Sequence, residues 1–270
     1  MPHESVYDDP LIYDILMTPG TAGEADVLER IHARHADGRT AELPWLEPAC
    51  GSGRLLRVLA NRGRRLIGYD ASPAMLDYAR GRLRGEAAAR VRLALADMRT
   101  GPADLRPGAC GFAFNPWNTL RHLPDDEAVL AHLEATAAAL HPGGRYVVGI
   151  SLTDPGGEPP QEDVWSAARG RCRVTQVVNY LPPDPADPDD RVERVLSHVT
   201  VTRPGGETHH DAVEALRSYT PDQWDALLEA SPWRREARLD MSGKPLPPGP
   251  IPYALEVLAR RDSPSPRGGR

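Results

Sequence analysis

One stretch, Leu46-Glu47-Pro48-Ala49-Cys50-Gly51-Ser52-Gly53-Arg54-Leu55-Leu56, constrains this chain more than any other. A short apolar run, Leu43 to Leu46, ends in an acid, turns over small residues and restarts as Leu55, Leu56, Val58 and Leu59. That is the pattern of a buried parallel strand, a glycine-rich turn and an amphipathic helix. Gly51 and Gly53 permit backbone angles and close approaches that a side chain would forbid. A ligand can therefore lie against bare main chain and a helix N-terminus.

Two ligand classes use such a turn. A dinucleotide site wants G-x-G-x-x-G, with a third glycine easing helix–strand packing around a pyrophosphate. Here that third position is Leu56, and an acid precedes the turn. Glu47 would repel a pyrophosphate but could hold an ammonium group, directly or through water. Asp70 closes the next apolar run, Leu66-Ile67-Gly68-Tyr69-Asp70, so the pair reads as a site for a cationic amino-acid nucleoside. From Glu47 to Gly53 the chain resembles the first motif, acid-x-x-x-G-x-G, of the class I S-adenosylmethionine (SAM)-dependent methyltransferases. An NAD-dependent oxidoreductase is disfavoured by the same two residues, Leu56 and Glu47.

Strand and helix patterns alternate through Leu152. Ser72 and Pro73 read as the N-cap and first position of a helix, Val91 to Met98 as the third strand and its exit, and Ala109 to Asn115 as the fourth. A helix over about 125–140 is expected to stop at His141-Pro142-Gly143-Gly144, with a glycine in the left-handed C-terminal position, before a fifth strand from Arg145 to Leu152. Alternation of this kind gives an α/β fold with a doubly wound, Rossmann-like parallel sheet. After a Pro/Gly linker, Asp154 to Pro160, three alternating runs follow: Arg171 to Tyr180, Arg191 to Arg203 and Glu207 to Tyr219. They predict a small antiparallel β insertion after the fifth strand. Thr220-Pro221-Asp222-Gln223 is a capping box, and strands near 233–239 and 253–259 close the sheet. The resulting division is a helical lid (1–38), a SAM-binding core (39–153), the insertion as substrate cover or dimer contact (154–219), closing elements (220–261) and a disordered tail (262–270).

A formal net charge of −6 with acids and bases interspersed argues against a nucleic-acid surface. Cys50, Cys110 and Cys172 are odd in number and lack metal-type spacing, which fits a reduced compartment and gives no metal site. No basic-then-apolar leader opens the chain and no apolar run approaches ~18 residues, so a cytoplasmic protein without a membrane partner is expected.

The resemblance assigns roles along the sheet. Glu47, with Ala49, Cys50, Gly51 and Gly53, would face the methionine end of SAM; Asp70, with Ala71, the ribose hydroxyls; and Asp97-Met98 the adenine. A carboxylate can accept from two vicinal hydroxyls, the physical reason for an acid at Asp70. Met75, one turn into the next helix, can touch adenine or pack in the core. Phe112 to Leu123 resembles the Phe-x-Ser/Asn-x-x-x-His-Leu stretch of small-molecule N-methyltransferases, including aminosugar N,N-dimethyltransferases. Asn115 would then contact the cofactor, Trp117 and Asn118 the substrate, and His122 would act as base or orient the acceptor. A histidine of pKa near ~6.5 can take a proton at neutral pH. In that family a Tyr-Asp helix closes over the site; Tyr13-Asp14 matches it best, with Tyr7-Asp8 second, and Tyr13 would help exclude water. Without the resemblance, the same segment is a helix packing on the sheet edge.

Three other signals compete. Asn115-Pro116-Trp117 partly matches the Asn-Pro-Pro-aromatic motif of enzymes that methylate planar amide or nucleobase nitrogens, but it lacks the second Pro. His209 and His210 are adjacent in a strand and point to opposite faces, so they cannot chelate together. Arg169, Arg171 and Arg173 at period two would line one face of the insertion. The expected activity is methyl transfer from SAM to a small-molecule acceptor, nitrogen favoured over oxygen or carbon. The alternative is a catalytically silent SAM-binding protein, and a homodimer through the insertion is possible.

Overall fold

The computed structural model describes residues 6–153, 159–184, 186–187, 190–247 and 253–261. The expected linker over 154–160 falls mostly outside them, and the expected tail over 262–270 does so entirely. Helices α1 (Pro10–Met17) and α2 (Thr21–His35) precede the core. The core then alternates: β1 (Trp45–Pro48), α3 (Arg54–Asn61), β2 (Leu66–Asp70), α4 (Pro73–Arg82), α5 (Gly85–Arg90), β3 (Val91–Leu95), β4 (Cys110–Asn115), α6 (Asp126–Ala139) and β5 (Leu140–Ser151). The insertion supplies β6 (Gln161–Arg169), β7 (Cys172–Leu181), β8 (Val192–Arg203) and β9 (Gly206–Arg217). α7 (Pro221–Ala230), β10 (Trp233–Leu239) and β11 (Tyr253–Arg260) complete the chain.

The central sheet runs β10-β11-β5-β4-β1-β2-β3. β1 to β5 are parallel, and β11 returns antiparallel against β5. The order reverses beside β1, so the carboxyl ends of β1, β2 and β4 open onto a common crevice, where such sheets bind ligands. Apolar faces are buried on both sides: Leu46, Ala113, Tyr146 and Val148 face α6, while Trp45, Phe112, Phe114 and Val147 pack towards α2 and α3. Local signals set the helix starts as expected. Ser72 Oγ accepts from Met75 N at 3.3 Å, and Thr220 and Gln223 exchange both bonds of the capping box.

Four expectations are corrected. The insertion has four strands, order β6-β7-β8-β9; β6, its edge, was not expected because Gln161-Glu162-Asp163 opens it with poor strand formers. β3 ends at Leu95, so Asp97 lies past the strand in a turn. α6 ends at Ala139 and Leu140 is already extended (φ −90°, ψ 141°), so no glycine takes a left-handed turn there. Gly143 and Gly144 serve close approach instead: a Cβ would come within 3.1 Å of Asp37 and 2.9 Å of the Gly111 carbonyl. The arginine stripe does not exist, because Gly170-Arg171 is the tight turn joining β6 to β7, with Gly170 at φ 60°. Arg169 turns inward, whereas Arg171 and Arg173 are exposed.

α1 packs on the insertion, not on the edge of the central sheet. Ile12, Ile15 and Leu16 join Val6 in a cluster with Ala167, Val174, Val199 and Val201. Asp14, fully buried, ties this unit to the core. It accepts from Ser52 Oγ (3.0 Å) and Tyr78 O–H (2.9 Å) of the core and from Arg169 of the insertion (2.7 Å). Burial alone would raise its pKa; Arg169, Tyr78, Arg57 and Ser52 override that and hold the carboxyl below its ordinary value. A depressed folded pKa contributes stability that is full above the unfolded value and is lost as pH falls through the folded one. Asp14→Ala should cost about 3 kcal/mol, the lower end for a broken buried pair, since Arg169 can still reach water. In Asp14→Asn, the melting-temperature deficit against wild type should be constant above about pH 5 and shrink below it. A deficit that does not vary with pH would refute the ionic role.

Candidate active site

The turn after β1 is shaped by the next strand's acid. Ala49 and Gly51 take positive φ (48° and 52°), and Gly53, at φ 68°, caps α3. Gly51 N donates to Asp70 Oδ2 and Ser72 N to Asp70 Oδ1, both at 2.8 Å. Asp70 therefore holds the turn as well as facing the crevice, and lone pairs on both oxygens remain for a ligand. A left-handed alanine is strained by about 1–2 kcal/mol, a cost that sites of function tolerate. Leu56, which replaces the third glycine of a dinucleotide turn, packs over Gly68 of β2; a Cβ on Gly68 would collide with the Leu56 Cδ1 methyl.

Above the turn lies a cavity of about 680 Å³, floored by the core, walled by the N-terminal segment and roofed by the insertion. It brings together Glu47, Ala49, Cys50, Gly51, Asp70, Met75, Met98 and Asn115 of the core with Tyr13, Trp117, Asn118 and His122. Gly53, Ala71 and Asp97 do not line it. Asp97 binds Arg99 instead, through contacts of 2.6–3.0 Å, and both side chains are exposed. The third acid of the sequence pattern is thus a turn-former, and Met98 alone of that pair reaches the cavity.

Glu47 is buried, and its Oε2 has no hydrogen-bond partner among the described residues. Burial pushes its pKa well above the carboxylate range, against the pull of Arg54. An orphaned buried carboxylate oxygen, a bare turn and an acid on the neighbouring strand end fit the ammonium, amino-acid backbone and ribose of SAM. Cys50 is buried with its thiol pKa raised well above normal by burial, Glu47 and Asp70, so it is packing and not a nucleophile. Asn115 is committed inside the protein. Its Nδ2 donates to the Pro48 carbonyl (2.6 Å) and its Oδ1 accepts from Tyr146 O–H (2.7 Å). It locks the ends of β1 and β4 together; its Oδ1 keeps a second lone pair, and the case against the Asn-Pro-aromatic alternative is the missing second Pro together with the burial of Asn115. Asn118 is likewise engaged: its Oδ1 accepts from Ser151 N (2.7 Å) and its Nδ2 donates to Ser151 Oγ (3.0 Å).

Tyr13 lies over the turn, its ring edge 3.5 Å from where a Gly51 Cβ would stand. Burial raises its pKa to about 12, so it remains a phenol at neutral pH. His122 is open to the cavity. Its pKa is lowered, first by enclosure in the cleft and then by Arg121, leaving a neutral imidazole. Tyr7 O–H lies 3.4 Å from His122 Nε2 and its ring meets the imidazole edge-on at 5.4 Å.

Sequence reasoning missed three charged residues of the cavity. Arg54, in the first turn of α3, donates to Glu24 through both terminal nitrogens (2.8 Å each) and to Thr21 Oγ1 (3.1 Å). A cation at a helix N-terminus opposes the helix dipole, and that anomaly was visible. Glu24 also accepts from Trp117 Nε1 at 2.6 Å, and it was readable only as a helix surface acid. Glu214 of β9 is the third, on the inward parity of its strand between Ala212 and Leu216.

Residues 46–144 match the family model described as a methyltransferase domain. Residues 46–144 are therefore a methyltransferase domain, and the fold around them is that of SAM-dependent methyltransferases. No curated protein sequence matches it. Among solved structures, the chain is similar to DesVI of Streptomyces venezuelae, with 23% identity over 95% of this chain and 99% of that one, at a TM-score of 0.71. It is also similar to SAM-bound CalS10, an amino pentose methyltransferase of Micromonospora echinaspora (24% identity, 96% and 98% covered, TM-score 0.68). KedS8, a sugar N-methyltransferase of Streptoalloteichus, aligns at 20% identity over 97% and 94%, with a TM-score of 0.68. At these identities the likeness is one of fold, and it spans the N-terminal helices and the insertion as well as the core.

Glu47 generates a two-sided prediction. A raised folded pKa makes wild type lose stability, relative to an uncharged isostere, as pH rises above the ordinary value of about 4.3. Glu47→Gln should therefore melt higher than wild type at pH 7 to 8 without ligand, and equally near pH 4. It should bind S-adenosylhomocysteine (SAH) about 10- to 100-fold more weakly, having lost a charged partner. Calorimetry with unchanged SAH affinity would remove Glu47 from the site.

Proposed function

We propose that this methyltransferase methylates an amine nitrogen of a small-molecule acceptor, with His122 as the proton acceptor. The observation that carries the reading is His122 itself: a neutral imidazole opening into the cavity between the turn and the insertion. Glu47, the Gly51 main chain and Asp70 would hold the amino-acid and ribose parts of SAM, with Met75 and Met98 beside the adenine. Bound SAM supplies an electrophilic methyl group, and the sulfur leaves with the electron pair of the broken carbon–sulfur bond.

The chain's own task is then to place the nucleophile and take one proton. Positioning within about 3–3.5 Å and in line can supply much of the rate. The weakened basicity of His122 argues for nitrogen. An amine N–H grows acidic as the new carbon–nitrogen bond forms, so a weak base suffices. An alcohol, with a pKa near the ~15.7 of water, needs a far stronger one. The long Tyr7 contact to Nε2 is one that an incoming amine N–H can replace. Tyr13, un-ionised above the turn, serves to shut out water rather than to move a proton. Kinship of fold with an amino pentose methyltransferase and a sugar N-methyltransferase supports the same choice.

The outer face of the insertion carries the exposed apolar side chains Val164, Leu196 and Val213, and we place the homodimer contact there. The three cysteines are free thiols, in keeping with a reducing, cytoplasmic setting, and no described helix is long and apolar enough to cross a membrane.

SAH release measured over a panel of amines and phenols should show turnover with amines; phenols turning over while amines do not would overturn the nitrogen assignment. His122→Ala should lower kcat by about 10²–10⁴ if the residue is the base. Because its pKa lies below the usual value, wild-type kcat should fall only on the acid side of about pH 6.5, and the variant should lose that limb. A loss under tenfold with the limb intact would demote His122 to orienting the acceptor.

A further inference from the structure

The outer face of the insertion carries a pair of imidazoles that methyl transfer does not use. β8 and β9 pair in a register that sets His198 opposite Asp211 and Thr200 opposite His209. All four side chains stand on the outer face, because Val199, Val201 and Ala212, which alternate with them along the strands, are buried on the inner one. His198 and His209 are thus diagonal neighbours across the ladder, a spacing that long side chains can bridge. The parity that parts His209 from His210 is the one that brings it to His198.

The two rings are stacked, 26° apart in plane with centroids separated by 5.4 Å, and His209 Nδ1 stands 3.3 Å from His198 Nε2. On the far side of the His198 ring, Nδ1 lies 2.6 Å from Asp211 Oδ1. An ionised carboxylate only accepts, so the proton sits on Nδ1 and the Nε2 of the neutral ring keeps its lone pair. A carboxylate behind a histidine is the arrangement that orients imidazole ligands in metal sites and makes them better donors of that lone pair. The gap between the facing nitrogens decides what they can share. At zinc–nitrogen distances of about 2.0–2.1 Å and a tetrahedral angle, two ligand nitrogens stand about 3.3–3.4 Å apart. Without metal a proton bridges that gap. A metal ion would take its place, with His209 carrying its own proton on Nε2 instead.

We propose that His198 Nε2 and His209 Nδ1 bind a divalent transition-metal ion of the zinc class, with water in its remaining positions, and that Asp211 positions His198 for it. Imidazole nitrogen selects zinc, nickel or copper over magnesium and calcium, which take oxygen ligands. No group of three or more His, Cys, Asp or Glu among the described residues is placed to hold a metal, so the protein supplies two ligands and the affinity is that of an open surface site. An ion there joins β8 to β9 from behind, while Val195 and Leu216 of the same two strands line the cavity. It braces the roof and takes no part in methyl transfer. The inference is independent of the acceptor reading above.

The test titrates zinc chloride into the full-length chain, carrying no tag and stripped of metal with a chelator, at neutral pH, with magnesium chloride as the comparison ion. By calorimetry zinc should bind wild type with a Kd of about 10⁻⁶–10⁻⁴ M, as two ligands supply about half of what four supply in a structural site. Magnesium should give no saturable heat. His198→Gln and His209→Gln should each weaken zinc binding at least about tenfold, and Asp211→Asn by about 10- to 100-fold. His210→Gln, on the inner face beside them, should leave the affinity unchanged. A cooperative melting curve without metal shows that each variant is folded. Added zinc should raise the melting temperature of wild type and His210→Gln but not of His198→Gln or His209→Gln. No saturable zinc binding by wild type, an affinity unchanged in His198→Gln or His209→Gln, or magnesium binding as tightly as zinc would each overturn the proposal. A loss in His210→Gln as large as in His209→Gln would do the same, and unchanged affinity in Asp211→Asn would remove the part assigned to Asp211.

Discussion

The contact between Asp70 and the main-chain N–H of Gly51 is the constraint from which the rest of the site follows. It ties the carboxyl end of β2 to the turn leaving β1, so two adjacent parallel strands present one rigid edge. The positive backbone angles of Ala49 and Gly51 are held by that bond, and Gly53 then starts α3 beneath it. A turn of this shape exposes main chain where most turns expose side chains. Its neighbours can therefore be acids without a side chain of their own to fill the crevice, and the ligand becomes the missing cation.

An excess of buried acid has to be balanced within the protein before any ligand arrives. Arg54 does this from the first turn of α3, a position that the helix dipole disfavours and that two-pronged bonding to Glu24 makes tolerable. Glu47 is left uncompensated on one oxygen, and burial holds its proton on. Stability and binding are thus opposed at this residue: the group that destabilises the empty protein above the carboxylate range is the one that a cationic ligand relieves. A similar economy appears at Asn115, whose amide closes the gap between β1 and β4 and so keeps the floor of the cavity in register.

What the sequence reveals of this molecule divides by the range of the signals. The parallel core was legible because each element carries a local mark, such as the glycine turn at Gly51 and Gly53, the Ser72-Pro73 helix start and the Thr220–Gln223 box. β6 was not, since Gln161-Glu162-Asp163 becomes a strand only through its pairing with β7. Asp97 misled because acids at strand ends look alike in sequence, and whether one faces a ligand or its own turn depends on where the strand stops. The arginine stripe failed for a related reason: a single turn at Gly170 reverses the parity on which it relied. Arg54 could have been found as a charge in the wrong place on a helix. Glu214 could not, because the inward parity of β9 is set by its register with β8.

Those differences of range also account for how the molecule is divided. The proposed cofactor end is built within about fifty consecutive residues of the core, from Glu47 to Met98, and its geometry is set by main-chain bonds that many side-chain changes would leave alone. The proposed acceptor end would be assembled from three distant segments: Tyr7, the Trp117–His122 loop, and Tyr180 with Glu214. These meet only because α1 packs on the insertion and Asp14 pins both to the core through Ser52, Tyr78 and Arg169. A side chain on the roof can change charge or shape without touching the turn, whereas a change at Asp14 would displace every acceptor contact at once. The choice of acceptor is therefore free to vary on this scaffold as long as that one buried carboxylate and its partners remain.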